Sequence, residues 1–399
     1  MVTRSEFTKY FLPVYNPGQF IPTKGKGSFV WDQKNNKYLD FASGIAVSSL
    51  GHCHPDLVDA LNQQSKKLWH LSNYLTNEPA IKLAKTLCKK TFAEKVFFSN
   101  SGAEAVEAAV KTARKFAHNE YGKGKSNIVA FDDAFHGRTL LTIALNGSKR
   151  MTEGFEPLPK GIIQHPYNQI DGLENCINDK TAAVILELVQ GEAGIIPAKQ
   201  KFVNAIKRLC KQHNALIIID EVQSGVGRTG HLFAYEKYKI QPDIVCSAKA
   251  LGNGMPIGAM LTSTKVGKYM QPGAHGSTYG GNPLACAVAF EVINKISKKS
   301  ILNGVQKKEK RFLDGLNKIN ASLNCFDEIR SAGLWIGCKL RVQSKLNLDN
   351  LMQAAYSNKL MILKANNNTI RIAPSLIIED KLIDEGLERL KKSIQQLLD

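Results

Sequence analysis

A lysine amine can condense with an aldehyde, and a carboxylate can keep a heterocyclic nitrogen protonated. This chain offers one of each in matching contexts. Asp220 closes the apolar run Leu216-Ile-Ile-Ile-Asp220, and Lys249 stands in Cys246-Ser-Ala-Lys-Ala-Leu-Gly-Asn-Gly254. Ala215–Ile219 reads as a buried parallel strand, and Asp243–Cys246 as a second, with Lys249 just beyond its end. Ligands of open α/β sheets bind outside the carboxyl ends of such strands. A lysine and an aspartate delivered to that rim suit pyridoxal 5'-phosphate, which needs an amine for a Schiff base and an acid for its pyridine nitrogen.

Other segments could complete such a site, although each also has an ordinary reading. Ser99-Asn-Ser-Gly-Ala-Glu104 precedes a helical pattern with Ala105, Val106, Ala109, Val110, Ala113 and Phe116 on one face. Ser101 and Glu104 read as a capping box, and the same helix start leaves N–H groups free for a phosphate. Phe135-His-Gly-Arg138 follows a strand ending near Phe131. Its Phe could stack on a ring or fill a core, and Arg138 could clamp a carboxylate or simply be solvated. Glu187 and Glu192 lie at and beyond another strand end, as acid–base groups or as surface acids. Arg371, inside the apolar run Thr369–Leu376, needs a partner, so it is a structural ion pair or a substrate clamp. Gly276-Ser-Thr-Tyr-Gly-Gly-Asn-Pro283 is a second phosphate loop or a turn.

Two phosphate-loop look-alikes fail on context. Gly124-Lys-Ser126 lacks the earlier glycine of a P-loop, since position 119 is Asn119, and it precedes a strand. Gly225-Val-Gly-Arg-Thr-Gly230 fits GxGxxG and would suit a nicotinamide-dependent dehydrogenase, an alternative from another enzyme class. The intervening Glu221-Val-Gln-Ser224 and the following His231-Leu-Phe-Ala-Tyr do not make the strand-to-helix turn that a dinucleotide requires.

The elements that must position these residues alternate strand and helix from about Glu94 to Leu261, the mark of a doubly wound parallel sheet. Ala182–Leu188, a helix at Lys199–His213 and Ala215–Asp220 form one βαβ unit, which brings both strand ends to the same rim. Gly27–Phe41 reads as a hairpin turning at Lys34-Asn-Asn36. Helices are expected near Leu284–Lys298, Gln306–Ile319 and Lys381–Leu398, with strands near Asp327–Leu340 and at Thr369–Ile372. The expected division is a large domain at 66–288 and a smaller α/β domain built from 1–65 and 289–399.

Composition narrows the partners. The 399 residues are 43% hydrophobic and 22% charged, an ordinary globular balance. The net charge of +18 is spread along the chain, which argues for a lysine-rich surface over a nucleic-acid interface. Eight cysteines without CxxC or zinc-like spacing read as reduced thiols of a cytoplasmic protein. No apolar run approaches membrane-spanning length and the N-terminus lacks a signal peptide's apolar stretch. No metal site is expected, because His52-Cys-His54 cannot turn all three side chains to one ion.

Taken together, these motifs resemble the class III (ω-amino acid) aminotransferases of fold type I. The resemblance runs from about Phe11 to the C-terminus. It rests on Gly44-Ile-Ala-Val47 with Leu50-Gly-His-Cys-His-Pro55, Asn100-Ser-Gly-Ala-Glu104, Ala134-Phe-His-Gly-Arg-Thr139, Asp220-Glu-Val-Gln223 with Gly227-Arg-Thr-Gly230, Ser247-Ala-Lys-Ala-Leu-Gly252, His275–Pro283 and Arg371–Leu376. Within the family the chain is most similar to bacterial members acting on N2-acetyl-L-ornithine. The resemblance implies that Lys249 carries the cofactor, Asp220 pairs with its ring nitrogen and Gln223 reaches its hydroxyl. It implies further that Ser101, Gly102 and Ala103 hold the phosphate, helped by Thr278 from the other subunit of a homodimer, and that Phe135 stacks on the ring. Arg138 and Ser277 would bind substrate, and Glu192 and Arg371 would form a switchable pair. The implied reaction is amino transfer from N2-acetyl-L-ornithine to 2-oxoglutarate in arginine biosynthesis, with N-succinyl-LL-2,6-diaminopimelate as a second donor in lysine biosynthesis. Succinylornithine, ornithine and 4-aminobutyrate are the alternative donors. Two positions depart from the family: Leu188 where proline usually follows Glu187, and Asn253 in place of glycine.

Overall fold

Short apolar runs alternating with amphipathic helices build the centre of the molecule, which the computed structural model describes over residues 2–18, 20–344 and 346–398. In chain order the central elements are β1 (Lys95–Ser99), α1 (Gly102–Tyr121), β2 (Asn127–Phe131), β3 (Ile162–His165), β4 (Thr181–Leu186), α2 (Gln200–Gln212), β5 (Leu216–Asp220), β6 (Ile244–Ser247) and β7 (Gly258–Thr262). The seven strands form one sheet in the order β1-β7-β6-β5-β4-β2-β3. Pairings from β3 through β2, β4 and β5 to β6 are parallel, and β7 runs antiparallel to both β6 and β1. With β7 reversed between them, β1 points the same way as β6. The carboxyl ends of β1, β2, β4, β5 and β6 therefore share one rim.

Every residue of β4 and β5 is buried, which is why these strands read as unbroken apolar runs. Alternate side chains enter two separate cores. Val129, Phe131, Val184, Leu186, Ile217 and Ile219 pack with Phe202, Ile206 and Leu209 of α2. Ile128, Ala130, Ala183, Ile185 and Ile218 pack with Ala105, Val106, Ala109 and Phe116 of α1. The period-two alternation of a strand thus welds a helix to each face. Phe131 meets Phe202 edge-on at 5.0 Å, and truncating such a buried ring costs about 3–5 kcal/mol.

The hairpin expected at Gly27–Phe41 is Phe29–Asp32 paired antiparallel with Lys37–Asp40. Its turn places Asn35 at φ 60°, and the Asp32 carboxylate accepts from the backbone N–H of Lys34 and Asn36. Lys37–Asp40 also pairs parallel with Leu360–Met361, so the two chain ends meet in one four-stranded sheet. A second four-stranded sheet joins Phe326–Ser331, Ile336–Leu340, Thr369–Ile372 and Leu363–Ala365. Helices Pro283–Ile296, Lys299–Leu323 and Asp380–Leu398 follow the expected pattern, except that the middle one starts well before Gln306. Its N-cap, Lys298, makes no side-chain capping bond, so the sequence carries no start signal there. No described helix is long and apolar enough to cross a membrane. Gly225–Gly230 forms consecutive turns leading to the short 3-10 turn Ala234–Glu236, not the helix a dinucleotide needs.

Candidate active site

The shared rim surrounds a cavity of about 400 Å³ whose walls include Ser101, Gly102, Ala103, Phe135, Arg138, Asp220 and Lys249. They arrive from four strand ends: β1 leads to Ser101, Gly102 and Ala103, β2 to Phe135 and Arg138, β5 ends on Asp220, and β6 leads to Lys249.

At one end of the cavity α1 begins. Ser101 is its N-cap, with Oγ accepting from Glu104 N at 3.2 Å. The Glu104 carboxylate reaches back to Asn100 N at 2.9 Å, one residue before the position a standard capping box would use. Because α1 is twenty residues long and opens here, its first N–H groups present a positive field suited to a dianion. The backbone must come close: a Cβ at Gly102 would lie 2.7 Å from Val222 Cγ1, and one at Gly137 would lie 2.7 Å from Ala103 Cβ. Gly137 also sits at φ 134°, where side chains are strained.

The middle of the cavity holds opposed charges. Asp220 is 4% exposed; its Oδ1 accepts from Val222 N at 2.9 Å and its Oδ2 accepts from His136 Nδ1 at 2.7 Å. His136 is fully enclosed, and its Nε2 has no hydrogen-bond partner among the described residues. The histidine is fixed through its backbone, whose N–H donates to Asn146 Oδ1 at 2.6 Å, while Asn146 Nδ2 donates to Gly137 O. His136 has no role assigned from the motif Phe135-His-Gly-Arg138 alone, and a histidine beside an aromatic at a strand end is the only sequence signal for it.

Lys249 takes φ 45°, a left-handed conformation, on the short turn after β6. Burial and the nearby Arg371 charge push its amine down to about 8, against the opposing pull of Glu192, Asp220 and Glu187. Glu187 is buried beyond β4 and accepts from Phe135 N at 3.0 Å. Burial and the Asp220 charge hold its carboxyl well above the ordinary range.

Arg371, in the strand Thr369–Ile372, is 3% exposed and pairs with Glu192 at 2.5 Å. Asn366 N donates to Glu192 O at 2.8 Å, tying that loop to the same sheet. Gln223 is buried and donates to Ile45 O at a long 3.5 Å. Ser277 lines a neighbouring groove and accepts from Asn100 Nδ2 at 3.1 Å, and Thr278 is exposed beside it. Neither Ser277 nor Thr278 lines the lysine cavity of this single chain. Leu188 is fully buried, its carbonyl accepting from Ala198 N and Tyr238 Oη. A buried apolar side chain thus stands where the resemblance led to an expectation of proline.

Known proteins are similar to this chain in sequence and in fold. A family model described as "Aminotransferase class-III" matches residues 13–394. An acetylornithine aminotransferase from Vibrio parahaemolyticus serotype O3:K6 (strain RIMD 2210633) is 50% identical over 397 residues, covering 100% of this chain and 98% of that protein. An acetylornithine/succinyldiaminopimelate aminotransferase from Buchnera aphidicola subsp. Acyrthosiphon pisum (strain APS) is 50% identical over 398 residues, with the same coverage. The crystallised ornithine aminotransferase of Toxoplasma gondii, whose active site holds PLP at partial occupancy, superposes with a TM-score of 0.94 at 29% identity, covering 98% of this chain and 94% of that one. The doubly wound sheet with its single reversed strand is the fold type I architecture of pyridoxal-phosphate-dependent transferases, as expected. On the extent of the family match and the identity to these relatives, the chain belongs to the class III aminotransferases.

Proposed function

We propose that this aminotransferase moves the terminal amino group of N2-acetyl-L-ornithine to 2-oxoglutarate, giving N-acetyl-L-glutamate 5-semialdehyde and L-glutamate. N-succinyl-LL-2,6-diaminopimelate is its second donor. The observation that carries the reading is the meeting of Lys249 and Asp220 in one cavity at the start of α1. The names of the half-identical relatives support the choice of donor.

The cavity fits pyridoxal 5'-phosphate on its own chemistry. It presents a helix start for the phosphate, an aromatic wall, a buried carboxylate for the ring nitrogen and an enclosed amine for the aldehyde. In our reading Ser101, Gly102 and Ala103 hold the phosphate, Phe135 stacks on the ring and Gln223 reaches its hydroxyl. When bound, the cofactor supplies an aldehyde that exchanges with an amino group and a ring that accepts the electron pair left on the substrate carbon.

The chain's residues do the rest. Asp220 keeps a proton on the ring nitrogen, because an adjacent carboxylate favours the charged form. His136 orients that carboxylate through its 2.7 Å bond. Lys249 Nζ, whose hold on a proton burial and Arg371 lower to about 8, takes the proton from the donor's reacting carbon in its uncharged form. Arg138 binds the carboxylate of the acylated diamino acid, and we assign Ser277, which lines the neighbouring groove, to substrate binding as well. A terminal-amine donor brings no carboxylate to its reacting carbon, so Glu192 neutralises Arg371 in that half-reaction. The pair opens when the α-carboxylate of 2-oxoglutarate needs the arginine.

We read the working form as a homodimer with a shared active site, in which Thr278 of the partner subunit contributes to the phosphate site. Exposed apolar side chains support this. Trp69, Tyr74, Leu75 and Tyr279 stand 60% exposed or more, and Asn73 Nδ2 donates to Ser277 O, so two such segments adjoin. We group residues 66–288 as the large domain and 1–65 with 289–399 as the small one. All eight cysteines are free thiols, which supports a cytoplasmic setting.

Lys249→Ala is expected to abolish glutamate formation from N2-acetyl-L-ornithine and 2-oxoglutarate. Borohydride reduction of the loaded enzyme should label the peptide containing Lys249, and an unlabelled Lys249 would overturn the reading.

A further inference from the structure

The side-chain amide of Asn253 grips a distant dipeptide with both ends. Oδ1 accepts from Leu50 N at 2.6 Å and Nδ2 donates to Gly51 O at 3.1 Å, across 203 and 202 positions of sequence. That dipeptide ends a loop whose Val47 lines the same cavity as Lys249. The loop is anchored to the rest of the molecule at several points. Asp40 Oδ1 accepts from Ala42 N and Ser43 N, Ser49 Oγ accepts from Arg228 Nη2, and Leu376 N donates to Ser49 O.

The turn that Asn253 closes is poorly held by its own geometry. Lys249 and Asn253 sit at φ 45° and 48°, left-handed values that side chains resist. Between them run short-range bonds from Leu251 N to Ala248 O, Gly252 N to Lys249 O and Asn253 N to Ala250 O. Such 3-10 turns have poorer hydrogen-bond geometry than an α-helical turn. Asparagine tolerates the left-handed conformation better than most residues, so it can cap this turn and still project an amide outward.

We propose that Asn253 is a positioning residue: its two-point clamp on Leu50 and Gly51 locks the lysine turn to the 43–51 loop and thereby fixes Lys249 and Val47 in one cavity. The proposal rests on the reading of Lys249 given above. The groups facing the Lys249 amine are Arg371, Glu192, Asp220 and Glu187, on three different segments. Their balance, and the exclusion of water, depend on where the turn holds that amine.

The test compares the parent protein with Asn253→Gly, which removes both bonds and suits the local φ. Hydrogen exchange followed by mass spectrometry should show about tenfold faster exchange in the peptides covering 50–51 and 250–253 together, with Lys299–Leu323 unchanged. Competitive acylation of Lys249 in the apoprotein should titrate about one pH unit higher, because a loosened turn admits water to the amine. If the glycine variant fails to fold, Asn253→Ser, too short to reach both partners, is read in its place. Faster exchange confined to 50–51 with the Lys249 titration unmoved would overturn the proposal, as would no change in either. These readouts need no turnover, so they stand apart from the Lys249→Ala assay, whose failure would sink the functional reading and leave the clamp standing.

Discussion

Lys249 faces one arginine and three carboxylates, and enclosure lowers its proton affinity in spite of the acids. The sign of the pH dependence follows. With an amine near 8 instead of 10.5, the uncharged form at pH 7 is about 300-fold more abundant than for an ordinary lysine. In the apoprotein, the rate at which Lys249 adds to an aldehyde should climb as pH rises through about 8 and level off above it. Stopped-flow absorbance against pH checks this, and a rate still climbing at pH 10 would contradict it. The Glu192–Arg371 pair makes a different prediction. Glu192→Ala leaves a buried guanidinium without its partner, ready for any carboxylate on the reacting carbon. The ratio of kcat/KM for N2-acetyl-L-ornithine to that for glutamate should fall at least about tenfold, measured in separate half-reactions.

At the level of elements, five strand ends on one rim explain how residues far apart in sequence share a cavity. Position alone is not sufficient, because the loops beyond the strands must also close on one another. The Phe135–Arg138 loop touches the start of α1 where Gly137 meets Ala103. Gly137→Ala would drive a Cβ into Ala103 and strain φ 134° together. It should weaken pyridoxal phosphate binding by about tenfold or more, read by absorbance titration, with the far-ultraviolet circular dichroism unchanged. The pattern of Ala105, Val106, Ala109, Val110, Ala113 and Phe116 made α1 legible in the sequence, and all six are buried. Nothing in the motif Gly102-Ala103 could show that the next strand's loop would press against it.

At the scale of the molecule, Arg228 joins segments from both chain ends to the centre. It is fully buried and has no acidic partner among the described residues. Its Nη1 donates to Leu334 O at 2.7 Å and Pro374 O at 2.6 Å, and its Nη2 to Ser49 Oγ at 3.1 Å. Burial lowers even this guanidinium to about 9. Arg228→Lys cannot span three acceptors and buries a more strongly hydrated ammonium. It should cost about 2–3 kcal/mol, seen as a lower melting temperature in scanning calorimetry. The sequence offered Gly225–Gly230 as a false phosphate loop; the fold uses its arginine as a three-way joint.

The sequence by itself determined the order of strands and helices, the apolar faces that join them, and the residue types able to bind an aldehyde and a ring nitrogen. Those are local properties: periodicity, caps and side-chain chemistry are written within a few neighbouring residues. Only the tertiary structure decided that His136 holds Asp220 and that Asn253 grips Leu50 and Gly51, and it supplied the distance at which Glu192 meets Arg371, a pair implied beforehand by the family resemblance alone. These depend on how loops from separate strand ends pack, and loop packing is fixed by long-range contacts that no short stretch of sequence encodes.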